Sequence, residues 1–448
     1  MAKRNDGGER LREEDLLISV LSRLDVKTLL QCKAVSKTWY SLISTPIFIK
    51  SHLNRALTTT TLLVRLFKYK PDSDSPEEDG SFSLYELGGC DDFVKHLEFP
   101  YSKRDYPFRP SSLLIGCVCG IVCVCVDLSV AIKVYSRGLT VKTPTDIYIW
   151  NPATKQSKLV PLPNTRYDCN DNVKVALGFG FDPVDVDFKV VRVLSTAIFP
   201  EVYSVNRNVW RKIETKLSDI PCRKNNFGIC LHGYLFAIGR NGLMAFDLNK
   251  EVFTCDIQLP VCTIIACIAE FKDSIAVIIS NFNEEGRINL WTLDDEACLC
   301  GTGVKASWTM MLTVDVGVEC HWVYGIFNSA ELLLAVLGDW FSYNLDKKVG
   351  RYINCNPIFY FDKFLEYTES LLPVAGSKLV NWSADKGDNE ESSTDSEEVS
   401  EKSNVDSEDN NEESSISVGS EDDNEVGATD SEDSEESSGD SEDDAGGE

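Results

Sequence analysis

One recurring pattern limits what this chain can fold into. An apolar strand ends in an aromatic residue, two to eight turn residues follow, and a second apolar strand begins. The instances are SFSLYELGG, IYIWNPATKQSKLVPLP, EVYSVNRNVWRKI, LMAFDLNKEVFTCDIQLP, INLWTLDDEACLC and WFSYNLDKKVGRYI. Their anchoring aromatics are Tyr85, Trp150, Tyr203, Phe246, Trp291 and Tyr343, spaced 65, 53, 43, 45 and 52 residues apart. Short Val/Ile/Tyr/Phe/Trp-rich stretches between turn residues read as strands. A repeat of roughly 40–50 residues is the length of one four-stranded propeller blade. A lone four-stranded sheet cannot bury both faces, whereas sheets stacked around a ring can. The expected fold is mainly β with a small α N-terminal module: helices over 11–55, then a six-bladed β-propeller-like domain over 57–380. The alternative is a β-sandwich, or two β-domains, with coincidental hairpins.

Charge divides the chain again. The net charge is −27, but residues 381–448 hold 27 Asp/Glu and two basic residues, Lys386 and Lys402. Residues 1–380 are therefore nearly neutral, with 44 acids against 42 bases. That balance disfavours nucleic acid as a partner, because phosphate neutralisation needs a surplus of Lys/Arg on one face. The last 68 residues contain 16 Ser and few apolar residues. Such a composition cannot repay its ordering entropy, so 381–448 reads as a disordered acidic tail. Ser403, Ser420 and Ser441 each precede an acid by three residues and are candidate phosphosites for an acid-directed kinase. The polar residues 1–10 and the segment Lys70–Ser81 are also read as disordered.

The sixteen cysteines do not make a secreted disulfide scaffold. MAKRNDGGER has no apolar signal-peptide core, and a chain this long can bury a core without staples. Asn381-Trp382-Ser383 matches a glycosylation sequon, read as chance. The longest apolar run, Leu113–Val126, is shorter than the ~20 residues a membrane helix needs. The expectation is a reduced, soluble protein of the cytoplasm and/or nucleus, with no membrane partner.

Residues 11–55 carry helical signals. Leu16, Leu17, Val20, Leu21 and Leu24 fall on one helical face, behind the acids Glu13, Glu14 and Asp15. Asp25 can cap a second helix through Leu29-Leu30. Val35, Trp39, Leu42 and Ile43 form a third stripe, and Thr45-Pro46 starts a fourth helix through His52 and Leu53. Four short helices bury little by themselves and should lean on a partner or on the next domain. The run LREEDLLISVLSRLDVKTLLQCKAVSKTWYSLISTPIFIKSHL resembles the F-box, in its plant form, over nearly the full motif. The carrying residues are Leu11, Asp15-Leu16-Leu17, Val20-Leu21, Leu24, Val26-Lys27, Leu29-Leu30, Val35-Ser36-Lys37, Trp39, Leu42-Ile43, Pro46 and Phe48. Arg12 and Asp25 stand where that family usually has proline. The resemblance implies docking on a Skp-type adaptor and, through it, a cullin–RING ubiquitin ligase. Leu11, Leu16, Leu21, Leu24, Leu29, Leu30 and Trp39 are the candidate adaptor contacts, some of them core.

The rest of the chain is similar to the plant F-box-associated domain. The matching pieces are Cys119–Val124, Ile149–Thr154, Gly178–Pro183, Phe188–Arg192, Glu201–Ser204 and Trp210–Lys212, in the family's order. Its tone is similar to the S-locus-like branch, whose members recognise partner proteins. The glycine-histidine and tryptophan-aspartate signatures of common propeller repeats do not occur here, and a kelch-like Gly-Gly pair stands at Gly88-Gly89. Asn151-Pro152 and Asp182-Pro183 read as turn formers, and the Trp and Phe residues as filling between blades.

Chemistry finds few candidates. Cys117, Cys119, Cys123 and Cys125 invite a zinc reading, but strand alternation with a turn or bulge at Gly120 explains them as small apolar residues. Zinc ribbons use wider pairs, and Cys298-Leu299-Cys300 is read likewise. His52, His96, His232 and His321 sit in no metal or triad motif, Asp294-Asp295 lies in a turn, and no phosphate loop follows a strand. The expected function is that of a non-catalytic substrate receptor without cofactor or metal. One end would dock the adaptor, and strand connections at the other would hold an unknown target protein. The rival readings are an F-box protein acting outside ubiquitin transfer and a propeller-type small-ligand binder or enzyme.

Overall fold

The computed structural model describes residues 15–56, 61–65, 67–68, 82–86, 93–97, 111–127, 146–163, 175–194, 199–214, 227–239, 242–261, 265–280, 287–300, 305–317, 322–336, 339–353, 359–360, 363–376 and 378–379. Residues Met1–Asp385 form one compact unit; the segments read as disordered, 1–10, Lys70–Ser81 and 381–448, lie outside the described residues. The compact unit opens with four helices: α1 (15–21), α2 (Val26–Val35), α3 (Lys37–Ile43) and α4 (Pro46–Ala56).

Six antiparallel sheets of at least four strands follow, and they are the six blades. Blade 2 contains Ser111–Val118, Ile121–Asp127, Asp146–Asn151 and Gln156–Leu159, from inside to outside. Blade 3 contains Val175–Asp182, Asp187–Leu194, Glu201–Ser204 and Val209–Lys212. Blade 4 is Ile229–Leu231, Tyr234–Ile238, Leu243–Asp247 and Val252–Ile257. Blade 5 is Ile265–Phe271, Ser274–Ser280, Arg287–Leu293 and Trp308–Asp315. Blade 6 is Trp322–Phe327, Glu331–Val336, Asp339–Asn344 and Val349–Tyr352. Blade 1 is composite. Its outer strands Thr61–Arg65, Phe82–Tyr85 and Phe93–Leu97 come from the start of the domain, and its inner strand Phe364–Tyr367 comes from the end. Thr61 pairs with Tyr367 and Val64 with Phe364. Pairing the two ends of the domain closes the ring, so no end blade is left with an uncovered apolar face.

Every anchoring aromatic of the sequence repeat lies on the third strand of its own blade, and the turn after it leads to the fourth. Tyr85, Trp150, Tyr203 and Phe246 are buried, while Trp291 and Tyr343 are half-buried. The repeat is thus the outer hairpin of each blade. Between blades lie six apolar layers, one for each interface, including the closing one. There Leu62, Val64 and Tyr85 of blade 1 meet Phe327, Leu333 and Trp340 of blade 6. A buried lysine, ion-paired within blade 3, fastens that blade to blade 4. The Lys189 ammonium donates to Asp182 Oδ2 at 2.8 Å and to the Leu248 carbonyl at 2.6 Å.

The first hairpin of blade 2 corrects the strand-face reading of its cysteines. Cys123 and Cys125 do share one face, packed towards blade 3, but Cys117 packs into the opposite layer, towards blade 1. Cys119 is on no strand face: with φ 53° it forms the turn with Gly120 at φ 76°. Among the described residues no group of three or more His, Cys, Asp or Glu could hold a metal ion. The ten cysteines described are free.

Candidate functional site

The helical module is built by capping and a small core. Asp25 accepts from the Thr28 N–H, Ser36 from Trp39 and Thr45 from Phe48, each satisfying an amide that a helix start leaves open. His52 Nε2–H donates to the Leu24 carbonyl at 2.9 Å and ties α4 to the loop after α1. Leu21, Val26, Leu29, Ile43 and Phe48 are buried at the centre.

The candidate adaptor contacts divide accordingly. Leu16 is 68% exposed, whereas Leu21 at 2% and Leu29 at 0% are core and have no surface to offer. Leu24, Leu30 and Trp39 are partly buried against that core. Leu24 also falls outside the helix it was read into. The Arg23 and Leu24 amides bond three residues back, to Val20 and Leu21, so the chain tightens and turns. Leu11 lies outside the described residues, as do Ser403, Ser420 and Ser441. The sequence pattern missed Val20, Val35, Tyr40 and Ile47, which are 60%, 69%, 58% and 79% exposed. Together with Leu16 they leave an apolar side chain in the open on every helix. Exposed apolar residues inside an amphipathic stripe look the same in sequence as buried ones, so nothing but the packing could separate them.

The module leans on the ring, as its small size requires. Its core takes in Leu371, with Leu372 and Ala153 packed against it. Leu371 and Leu372 belong to a strap that continues from the closing strand, and Ala153 belongs to the outer turn of blade 2. The Asn151 amide joins the two. Its Oδ1 accepts from the Ala153 and Thr154 amides, and its Nδ2 donates to the Ser370 and Leu372 carbonyls at 2.9 and 2.8 Å. Gly120 lets the strap pass: a Cβ there would lie 2.3 Å from the Thr368 carbonyl oxygen. Lys95 of blade 1 adds an ion pair with Glu369 at 2.9 Å.

Topology then separates two faces. Antiparallel strands place the first-to-second and third-to-fourth turns of every blade on one side. That side carries the helical module, because Thr61 and Tyr367, next to α4 and the strap, end there. Most of these turns are short, such as 119–120, 152–155, 205–208, 232–233 and 345–348. The second-to-third and inter-blade connections start from the opposite side and include the long segments 98–110, 128–145, 160–174 and 213–228.

Titratable groups do not converge on an obvious reaction centre among the described residues. His232 Nδ1 faces Glu296 Oε1 at 2.7 Å and Nε2 faces Asp273 Oδ1 at 3.0 Å. The bond to Glu296 leads the effects that raise its pKa. This group bridges the turns of blades 4 and 5. His96 bonds to Ser83 Oγ, and Asp294 and Asp295 accept from Ser307 and the Ala297 amide within a turn. His321 lies outside the described residues.

Comparison with known proteins matches both parts. A model of the F-box domain fits residues 14–51, and a model of the F-box associated beta propeller domain fits residues 81–309. The F-box protein CPR1 of Arabidopsis thaliana is 28% identical over 342 residues, covering 67% of this chain and 72% of that protein. The F-box protein DOR of the same plant is 26% identical over 305 residues, covering 63% and 70%. An F-box/kelch-repeat protein of the same plant is 23% identical, covering 67% and 78%.

Proposed function

Since this chain belongs to the family of F-box proteins with an F-box associated beta propeller domain, we propose that it is the substrate-recognition subunit of an SCF-type (Skp–cullin–F-box) ubiquitin ligase. The F-box docks on a Skp-type adaptor, and the propeller face with the long connections holds a target protein for ubiquitination. The chain itself performs no covalent step and needs no cofactor. It works by proximity: tethering a target beside the charged conjugating enzyme raises the effective concentration of target lysines. The site of action is the cytoplasm and/or nucleus, in keeping with free cysteines.

One observation carries this reading. The F-box core is completed by Leu371 of the strap, yet Leu16, Val20, Val35, Tyr40 and Ile47 remain exposed. Apolar side chains spread over four helices and not used in packing are what a helical partner would cover. The test is co-purification of the full chain with a Skp homologue and a cullin. Leu16→Asp and Ile47→Asp should each weaken adaptor binding by roughly 100-fold, as expected of interface anchors, with the melting temperature unchanged. A wild-type chain that binds no Skp homologue would overturn the proposal. One that binds the adaptor but never joins a cullin complex would limit it to a role outside ubiquitin transfer.

A further inference from the structure

The inner strands of all six blades surround a cavity of about 840 Å³, within the roughly 300–1,000 Å³ typical of small-molecule sites. Its wall is largely apolar and includes Leu114, Phe179, Leu235, Ile268, Val323 and Phe364. Lys363 also lines it. The Lys363 ammonium donates to the Ile115 carbonyl at 2.7 Å and to the Phe227 carbonyl at 3.1 Å. Its third N–H has no acceptor, and its charge no carboxylate partner, among the described residues. Two carboxyl groups, Glu366 and Glu270, line the same cavity. Glu366 lies three residues further along the strand, roughly 10 Å away, and accepts from the Asn328 amide.

An ammonium without a counter-ion is costly inside an apolar chamber. A methionine or leucine would fill the same space without that cost. The two carbonyls satisfy two of its protons and leave the third for whatever fills the chamber. We propose that the central cavity is a binding site for an amphipathic small molecule bearing a carboxylate. The anion sits on Lys363, and the apolar body lies along the inner strands. This ligand site is independent of adaptor docking.

Burial lowers the Lys363 ammonium to about 8, against a smaller opposing effect of Cys123. The other titratable groups of the wall are Cys117, Cys230, Cys267, Glu270, Tyr324 and Glu366. An anion binds the protonated lysine, so its affinity should hold between the ligand's own carboxyl range, about 4–5, and pH 8, and fall as the pH rises through 8.

The experiment uses the full chain with a dansyl-labelled undecanoic acid and its methyl ester, followed by fluorescence. The acid should bind at least about tenfold more tightly than the ester at pH 7, as a charge-assisted hydrogen bond provides. That preference should vanish at high pH while ester binding stays constant, and the ester control absorbs any effect of the other groups on the cavity itself. Lys363→Met should reduce the acid to the affinity of the ester. Equal affinities in the wild-type chain, no saturable binding of the acid, or a preference that survives Lys363→Met would each overturn the proposal. If the variant does not fold, the pH series on the wild-type chain decides alone.

Discussion

Asn151 is buried, and its one amide group satisfies two backbone N–H groups of its own turn and two carbonyls of the strap. Removing it strands four backbone partners at once, the Ser370 carbonyl fully buried and the other three partly buried. Asn151→Ala should therefore lower stability by roughly 2–4 kcal/mol, read from urea unfolding of the full chain. Asn151→Asp should cost more, because a carboxylate would face the Ser370 and Leu372 carbonyls. A change below about 0.5 kcal/mol, the range of an ordinary surface substitution, would show that the strap is held by something else. Asp182 illustrates a different use of a side chain before a proline turn. Burial raises its pKa, but bonds from Lys189 and from the Val184 and Asp185 amides outweigh that and leave the carboxyl below its usual range. Both residues are visible in the sequence as turn formers. The partners that make them structural come from 219 and 7 residues away.

Among the elements, the turn of blade 4 meets blade 5 through His232. Both ring nitrogens face carboxylates, so only the imidazolium can donate to Glu296 and Asp273 together. Its pKa is raised, first by the Glu296 hydrogen bond. A raised folded value means that the stabilisation is complete below the unfolded value of about 6.5 and is lost as pH rises through the folded value. The wild-type chain should out-melt His232→Gln at pH 6, and the gap should close by pH 9. A gap that widens with pH would contradict the bridge. The α1 stripe gives the opposite lesson about elements. Its five leucine and valine positions fit one helical face, yet the helix stops at 21 and only part of the stripe faces inwards.

For the whole molecule, the ring depends on its last strand. Phe364–Tyr367 is the inner strand of blade 1 and leads into the strap beneath the F-box. A chain ending after residue 385 keeps the whole compact unit and should melt within about 2 °C of the full chain. A chain ending after residue 362 loses the closing strand and the strap together and should show no cooperative thermal transition by circular dichroism. If the shorter chain melted cooperatively near the full-length temperature, closure would not be what holds the blades in register.

The sequence by itself determined the period and therefore the architecture. Six aromatic-anchored hairpins of blade length pointed to stacking around a ring, and each anchor does stand on the third strand of a blade. It also determined the helix starts at Asp25 and Thr45, because capping is local chemistry. Tertiary structure decided which leucines of the F-box are core and which are surface. It also sent Cys117 to a different layer from Cys123 and Cys125, and brought Lys363 to a chamber lined by all six blades. Those outcomes depend on contacts between separate elements, up to 248 positions apart for Lys363 and Ile115, and a local pattern of apolar and polar residues carries no record of what will pack against it.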